Sequence, residues 1–366
     1  MNKKISIINF LKGKRTYICS VMLFLVVGGV LLVGCKKNNT SPTPPVTSAG
    51  TVLGSELSVV LKPTSATLAN DAYLLYNGAV TFQSSPTQQN LTNCRQLWIN
   101  ASADYELSAA ALFGPNGSIG ADPGSLINTY PIDTAGINKI VSSAATFNLA
   151  YIDSLPPYLT GLHGMEFELY GISGTKTATQ FSPQQLSYIT GVALSIATYT
   201  GQVDTLWSSY PFANAGSGSS IYATQTAAFS DLVMAIANIT ETDGIYKLKG
   251  IFLNGSDILQ ESPFANNSIT DIENNLAGVS NIYYGQYNNV KGTGLSAFVS
   301  QNNVALDQRI KSDLMAAQKA VGSITVPLSQ AIHTQSAQIQ LALNACDSLD
   351  DDLKVSLLTY MNANTN

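Results

Sequence analysis

A single helical pattern runs through residues 182–207, SPQQLSYITGVALSIATYTGQVDTLW. Ser182 is placed to cap a helix, Pro183 suits the first helical position, and the side chain of Gln185 can return to the amide of the cap. Apolar residues then recur at spacings of three and four as far as Trp207, which is the period of one helix face. The stretch therefore predicts a long helix with one buried face.

Helical patterns of the same kind occur along most of the chain. The start signal recurs at Ser85-Pro86-Thr87-Gln88, and Ser268-Ile269-Thr270-Asp271 opens a helix that Gly285 closes. Further helices are predicted near residues 55–83, 87–112, 137–146, 157–170, 219–240, 295–321 and 326–362. No segment alternates apolar and polar residues between hairpin turns, as β-strands do. The sequence therefore predicts an all-α protein with long irregular stretches at 113–133 and 250–267.

The composition divides the chain into a leader, a linker and a folded body. Residues 36–54 are rich in Ser, Thr, Pro and Gly and have too few large apolar side chains to pack. We predict a flexible linker at 35–54, an N-terminal helical domain at 55–175 and a C-terminal helical domain at 176–366. The body is long enough for two domains.

The first 34 residues have the features of a secretory signal. A basic leader precedes an apolar run from Ile18 to Gly34, and the run ends Leu32-Val33-Gly34-Cys35. This ending resembles the cleavage box of bacterial lipoproteins, which implies cleavage before Cys35 and lipid on Cys35. Several acyl chains would hold the protein stably on a membrane. An uncleaved membrane-spanning anchor is the alternative.

The charge balance excludes a nucleic-acid partner. The leader contains five of the 18 Lys and Arg residues and none of the 23 Asp and Glu residues. The remaining chain is therefore acidic and has no basic patch of the kind that binds phosphates.

Two cysteines, Cys94 and Cys346, lie beyond the lipid site. They are far apart in sequence, so we predict two separate buried thiols, although an exported protein could form a disulfide. The chain contains no CxxC and no HExxH motif, which argues against a closed zinc site or a zincin protease.

Residues 161–170, GLHGMEFELY, hold one of the two histidines in the chain. In a helix, Glu166 would share a face with Leu162 and Leu169, and His163 would lie one turn before it. A buried carboxylate is costly unless it is hydrogen-bonded, paired or bound to a cation. The pair His163 and Glu166 therefore predicts half of a metal site, or a hydrogen-bonded pair that fixes an interface.

Several motifs, taken in order, resemble the imelysin family, also called imelysin-like peptidases. GLHGMEF at 161–167 matches the Gly-x-His-x-x-Glu signature of the family. The other matching positions, covering about residues 55–290, are Trp98, Glu106, Phe113-Gly114-Pro115, Tyr130-Pro131-Ile132-Asp133, Glu261-Ser262-Pro263-Phe264 and Asn267-Ser268-Ile269-Thr270-Asp271.

The resemblance implies two domains, each built around a four-helix bundle, with a central cleft that holds the signature. It also implies that Glu106 and Asp133 join His163 and Glu166 around a divalent or ferric cation, with water completing the shell. Imidazole and carboxylate ligands suit iron, zinc or copper. Ala109 departs from the pattern, because some relatives have a second Glu there, so one ligand is expected to be missing.

Two other polar residues have simpler interpretations. His333 lies in a Ser-, Gln- and Ala-rich helix and is predicted to be a surface residue. Glu261 is predicted either to order a loop or to line the cleft.

Three functions compete. The first is a membrane-anchored lipoprotein of the outer membrane that binds a metal ion, iron in the first instance, or a metal-bearing ligand, for uptake with outer-membrane components. The second is a metallopeptidase with Glu166 as metal ligand or general base. The third is a non-catalytic surface or polysaccharide-binding protein. The first is favoured, because one histidine and an incomplete carboxylate set fall short of a hydrolytic metal site, and no GxSxG motif is present.

Overall fold

The computed structural model describes residues 47–114, 123–254 and 260–365. The predicted leader, the lipid site at Cys35 and most of the predicted linker lie outside these ranges. In the described ranges, none of the helices combines the length and the apolar character needed to cross a membrane.

The first half of the described chain is a series of eight helices. They are α1 (Ala49–Ser55), α2 (Lys62–Ser84), α3 (Gln88–Ser108), α4 (Pro123–Asn128), α5 (Thr134–Val141), α6 (Leu149–Asp153), α7 (Gly161–Tyr170) and α8 (Pro183–Ser209). A π-helical segment, Glu56–Leu61, joins α1 to α2, and short 3-10 turns lie at Ala109–Leu112, Pro157–Leu159 and Ala178–Gln180. Helix α8 begins as predicted, with reciprocal hydrogen bonds between Ser182 and Gln185.

The second half is also helical. It contains α9 (Gln225–Ile239), α10 (Leu248–Asn254), α11 (Ser268–Tyr284), α12 (Leu295–Asn302), α13 (Val304–Val321), α14 (Leu328–Thr334), α15 (Ser336–Asp351) and α16 (Leu358–Asn364). Two more π-helical segments connect α9 to α10 and α15 to α16, at Thr240–Lys247 and Asp352–Leu357. The prediction of an all-α protein is confirmed.

A short hairpin contains the only β-strands among the described residues. Strand β1 (Gln286–Tyr287) pairs antiparallel with β2 (Val290–Lys291). The two turn residues, Asn288 and Asn289, both have positive φ, which suits the tight turn of a two-residue hairpin. Each strand has only two residues, too few for the alternation that a sequence pattern can show.

Several predicted helix boundaries are wrong for identifiable reasons. The helix predicted at 295–321 is broken at Asn303, because its side chain accepts a hydrogen bond from the amide of Leu306 and caps α13. The helix predicted at 326–362 is broken at Gln335. The helix predicted to end at residue 240 continues through the π-helical segment to Asn254.

The helices pack in two groups that α3 and α11 connect. Helix α2 packs along α3 and α8, and α7 lies against α8 and α4. In the other group, α13 packs on α15, and the π-helical segment 240–247 contacts α15, α11 and α9. The residues from Val46 onward form one compact unit. The division at 175/176 stays a prediction, and α8, which begins after it, packs mainly on α2.

Helix α7 is held by hydrogen bonds from both of its larger neighbours. The indole of Trp98, on α3, donates to the carbonyl of Leu162 over 2.8 Å. From α8, the hydroxyl of Tyr188 donates to the carbonyl of Leu159, just before α7, over 2.6 Å. A buried donor that finds its acceptor both stabilises and orients the element it reaches. These bonds fix the helix that carries the histidine.

The two cysteines agree with the prediction. Cys94 and Cys346 are both buried, and neither is in a disulfide.

Candidate functional site

The start of α7 depends on two glycines. Gly161 has φ of +72°, and a Cβ there would lie 2.7 Å from the carbonyl oxygen of Ile127. At Gly164 a Cβ would lie 2.7 Å from the hydroxyl of Tyr188. Glycine therefore lets α4 and α8 approach α7 closely. As a result every residue from Gly161 to Leu169 is buried, including His163.

Glu166 is the predicted buried acid, and hydrogen bonds occupy both of its oxygens. Its Oε1 accepts the backbone N–H groups of Phe264 and Ala265, each over 2.8 Å. Its Oε2 lies 3.4 Å from Nδ1 of His163. Burial raises the pKa of Glu166, while His163 and the two amides act in the opposite direction. Glu166 therefore ties the loop before α11 to α7 and orients the imidazole.

His163 lies between two carboxylates. Its Nδ1 faces Glu166, and its Nε2 lies 3.6 Å from Oε1 of Glu261, too far for a good hydrogen bond. The edge of the Tyr130 ring packs against the imidazole, with 5.8 Å between the ring centres. Burial alone would lower the pKa of His163, but Glu166 and Glu261 together raise it to about 9.

Glu261 has a second positive neighbour, Lys247. The ammonium of Lys247 contacts Oε1 of Glu261 directly, and the carboxylate side chain is only 2% exposed. Burial raises the pKa of Glu261, but Lys247 and His163 outweigh it and lower the pKa to about 2. Glu261 is therefore an ionised acid held between two cationic groups.

Asn128 links two of the acids. Its Nδ2 donates to Oε1 of Glu106 over 2.9 Å and to Oε1 of Glu261 over 3.2 Å. Glu106, on α3, is only 2% exposed. Through this amide the acid on α3 joins the cluster around His163.

Asp271, on α11, is a further buried acid near Glu261. Its Oδ1 accepts a hydrogen bond from the side chain of Asn267 over 2.7 Å, whereas its Oδ2 has no hydrogen-bond partner. Burial and the charge of Glu261 raise the pKa of Asp271 to about 7.

The four residues that the resemblance implied as metal ligands have different positions. His163 and Glu166 are in contact, and Glu106 reaches the cluster through Asn128. The side chain of Asp133 is exposed instead and caps α5, accepting the amide of Gly136 over 2.9 Å. Across the described ranges, no group of three or more His, Cys, Asp or Glu side chains is arranged to hold a metal ion.

Two clefts meet at this cluster, and Tyr130 and Glu261 line both of them. The histidine cleft, of about 600 Å³, is lined by Tyr130, Ile132, Thr134, His163, Ile172, Ser173, Gly174, Gln260, Glu261, Pro263, Phe264, Asn266 and Ser329. The lysine cleft, of about 460 Å³, is lined by Tyr105, Glu106, Ala109, Asn128, Tyr130, Pro131, Asn238, Ile239, Thr242, Tyr246, Lys247, Gly250 and Glu261. The buried cluster thus lies between two clefts. Ala109, the departure from the family pattern, lies in the wall of the lysine cleft.

Sequence reasoning did not identify Lys247 and Asn128, and it left Glu261 open. The Glu-Ser-Pro-Phe motif, which Glu261 begins, indicated that this acid could belong to the site. No sequence pattern indicated Lys247, since it is one of several charged residues in a helical pattern. His333 is exposed near the end of α14, as predicted.

Comparisons with known proteins agree with the fold and the motifs. Iron-regulated protein A of Synechococcus elongatus is 24% identical over 310 residues, which span 82% of this chain and 83% of that protein. A solved structure named as an iron-regulated protein A precursor, from Parabacteroides distasonis, has a TM-score of 0.75 and 18% identity, over 88% of this chain and 97% of that one.

An imelysin-like protein from Psychrobacter arcticum has a TM-score of 0.67 and 17% identity, over 84% of this chain and 94% of that one. At such identities the two structures show a common fold and nothing more. The family model Peptidase_M75, described as imelysin, matches residues 62–356. Since this match covers most of the sequence, the chain belongs to the imelysin family.

Proposed function

We propose that this protein is an exported, membrane-anchored binding protein that takes up a metal cation, iron in the first instance, or a metal-bearing ligand. The observation that carries the proposal is a pair of buried atoms without hydrogen-bond partners. They are Nε2 of His163 and Oε2 of Glu261. Both residues line the histidine cleft. Buried polar atoms are normally satisfied, so such a pair beside a cleft suits a ligand.

The chemistry of these donors suits a cation. Glu166 faces Nδ1 of His163 and would keep a proton there, so a metal would bind at Nε2 and displace the proton that this nitrogen carries at a pKa of about 9. An imidazole nitrogen beside a carboxylate matches the preferences of iron, zinc and copper. Glu106 would supply a further carboxylate, since Asn128 already connects it to Glu261.

Iron is placed first because of the relatives. One of the similar proteins is named iron-regulated protein A. The Leu-Val-Gly-Cys sequence ending at Cys35 supports export and lipid anchoring on the outer membrane, at its periplasmic face or the cell surface. Outer-membrane uptake components would then be the expected partners.

The peptidase alternative receives less support from the geometry. A general base must have an oxygen free to take a proton from the attacking water. Both oxygens of Glu166 are engaged, one by two backbone amides and the other by His163, and Glu166 lines neither cleft. Glu166 is therefore better suited to positioning the imidazole.

The two histidines provide a matched test of the proposal. Purified protein would be titrated with Fe²⁺ under anaerobic conditions, and with Zn²⁺, by calorimetry. We expect His163→Ala to weaken binding by about 100-fold or more, and His333→Ala to leave it unchanged, because only His163 faces the cluster. Equal binding by the two variants would refute the proposed site.

A further inference from the structure

Lys247 is the lysine that neutralises Glu261 in the cluster around His163. Its ammonium contacts Oε1 of Glu261, and its side chain is 15% exposed, in the wall of the lysine cleft. The same oxygen accepts the amide of Asn128 and lies 3.6 Å from Nε2 of His163. One carboxylate oxygen therefore faces three donors, and two of them carry positive charge or can do so.

We propose that Lys247 is a tethered counter-ion that competes with a metal cation for Glu261, so that metal binds only when the ammonium leaves. This inference rests on the proposed function. The lysine neutralises the acid that a metal would otherwise neutralise.

The charges around Glu261 favour a metal that replaces the ammonium of Lys247 over a metal that binds beside it. Glu261 and Glu166 carry the negative charge at the imidazole, while Lys247 and His163 can balance it. A metal cation added beside a retained ammonium would place two like charges in a region shielded from water, which is unfavourable. Departure of the ammonium removes this conflict.

The surroundings of Lys247 allow such a departure. It lies at the end of the π-helical segment Thr240–Lys247, and π-helical turns are less regular than α-helix and occur often at functional sites. The neighbouring Tyr246 is 59% exposed. The ammonium can therefore move from Glu261 into the lysine cleft and be solvated there.

A second buried lysine–glutamate pair, which does not contact His163, supplies the control. Lys176 contacts Oε2 of Glu168 over 3.0 Å with similar burial, its side chain 12% exposed. It also donates to the backbone carbonyl of Glu168 and lies over the ring of Phe181. Glu168 accepts a further hydrogen bond from Gln185. Oε1 of Glu168 has no hydrogen-bond partner, and the pair lines a separate cleft of about 430 Å³ rather than the histidine cleft or the lysine cleft.

The first test compares Lys247→Met with Lys176→Met, since Met keeps an apolar stem and removes the charge. If the ammonium occupies Glu261 at least nine-tenths of the time, Lys247→Met should bind Co²⁺ and Zn²⁺ about tenfold tighter than the wild type or more. Lys176→Met should bind as the wild type does. The double variant His163→Ala/Lys247→Met should lose the gain.

The outcomes separate the inference from the proposed function. If the wild type binds metal and Lys247→Met binds equally or more weakly, the competition is refuted while the proposed function stands. If only Lys247→Met binds, the competition is supported and the native protein is not a metal binder. If neither binds, both proposals are refuted.

A second test uses the wild-type protein and needs no variant to fold. Lysines would be acetylated with a limiting amount of an N-hydroxysuccinimide ester, with and without Zn²⁺, and the modification followed by mass spectrometry. We expect Zn²⁺ to increase the acetylation of Lys247 severalfold and to leave Lys176 unchanged. No increase at Lys247, at Zn²⁺ concentrations that saturate the protein, would refute the inference.

Discussion

Glu166 and Glu261 approach the same imidazole from opposite sides, and both are buried. Glu166 accepts two backbone amides and faces Nδ1, so each of its oxygens has a partner. Glu261 receives its donors at Oε1 and leaves Oε2 without one. Burial alone thus does not distinguish a structural acid from one that can meet a ligand. Glu166 and Glu261 differ in how completely their oxygens are hydrogen-bonded.

The same comparison assigns different energetic roles to the two acids. The partners of Glu166 are backbone amides of the loop before α11, which cannot turn to water without moving the loop. One partner of Glu261 is the side chain of Lys247 at the edge of the lysine cleft. This side chain can turn to water by itself. Removing either acid leaves unpaired donors, but one donor of Glu261, the ammonium of Lys247, ends a long side chain in the wall of a cleft.

The largest effect is expected from Glu166→Ala. The change leaves two half-buried backbone amides and one side of a buried imidazole without an acceptor, so the free energy of unfolding should fall by about 3–5 kcal/mol. Urea denaturation followed by circular dichroism would measure it. Glu166→Gln should lose less, because the amide oxygen can still accept from Phe264 and Ala265.

A milder effect is expected from Glu261→Ala, although this acid is also buried. Lys247 can move into the lysine cleft, so the cost should be about 1–3 kcal/mol, close to that of one unsatisfied buried group. The same denaturation experiment applies. A loss as large as that of Glu166→Ala would show that Lys247 cannot reach water, and would weaken the case for its departure.

The sequence predicted the parts of this molecule that depend on neighbours along the chain. The capping residues of α8 and the buried face of α7 are local patterns, and both were identified correctly. Asp133 lies directly before α5 and caps it, which is a common place for Asp, so its position also followed a local pattern. Its role as a metal ligand stays a prediction.

The contacts at Glu261 could not be read from the sequence. They join Asn128, His163 and Lys247, which come from three separate helices and are distant in the chain. Which of several lysines reaches a given acid depends on how helices pack, and helical periodicity describes only the face that each helix buries. The residue types of the cluster were therefore predictable, while the lysine that contacts Glu261 was not.

The last expected effect is a pH dependence of stability. It comes from Asp271, the buried acid near Glu261. Its pKa is raised from 3.8 to about 7, by burial and by the charge of Glu261. The folded state therefore holds the proton more tightly than the unfolded state, and stability is lost as pH rises toward and through 7. The side chain of Asn is uncharged at all of these pH values, so Asp271→Asn removes this loss of stability.

We expect the stability of Asp271→Asn relative to the wild type to increase by about 2–3 kcal/mol between pH 5 and pH 8. The buried amide has its own cost, but that cost is the same at both pH values. Thermal denaturation at each pH would measure the difference, with the exposed Asp351→Asn as control. Parallel curves for wild type and Asp271→Asn would mean that Asp271 is ionised throughout. In that case nearby positive charge stabilises the carboxylate of Asp271 as well as that of Glu261. Asp271, whose Oδ2 has no hydrogen-bond partner, would then count with Glu261 as an open acid.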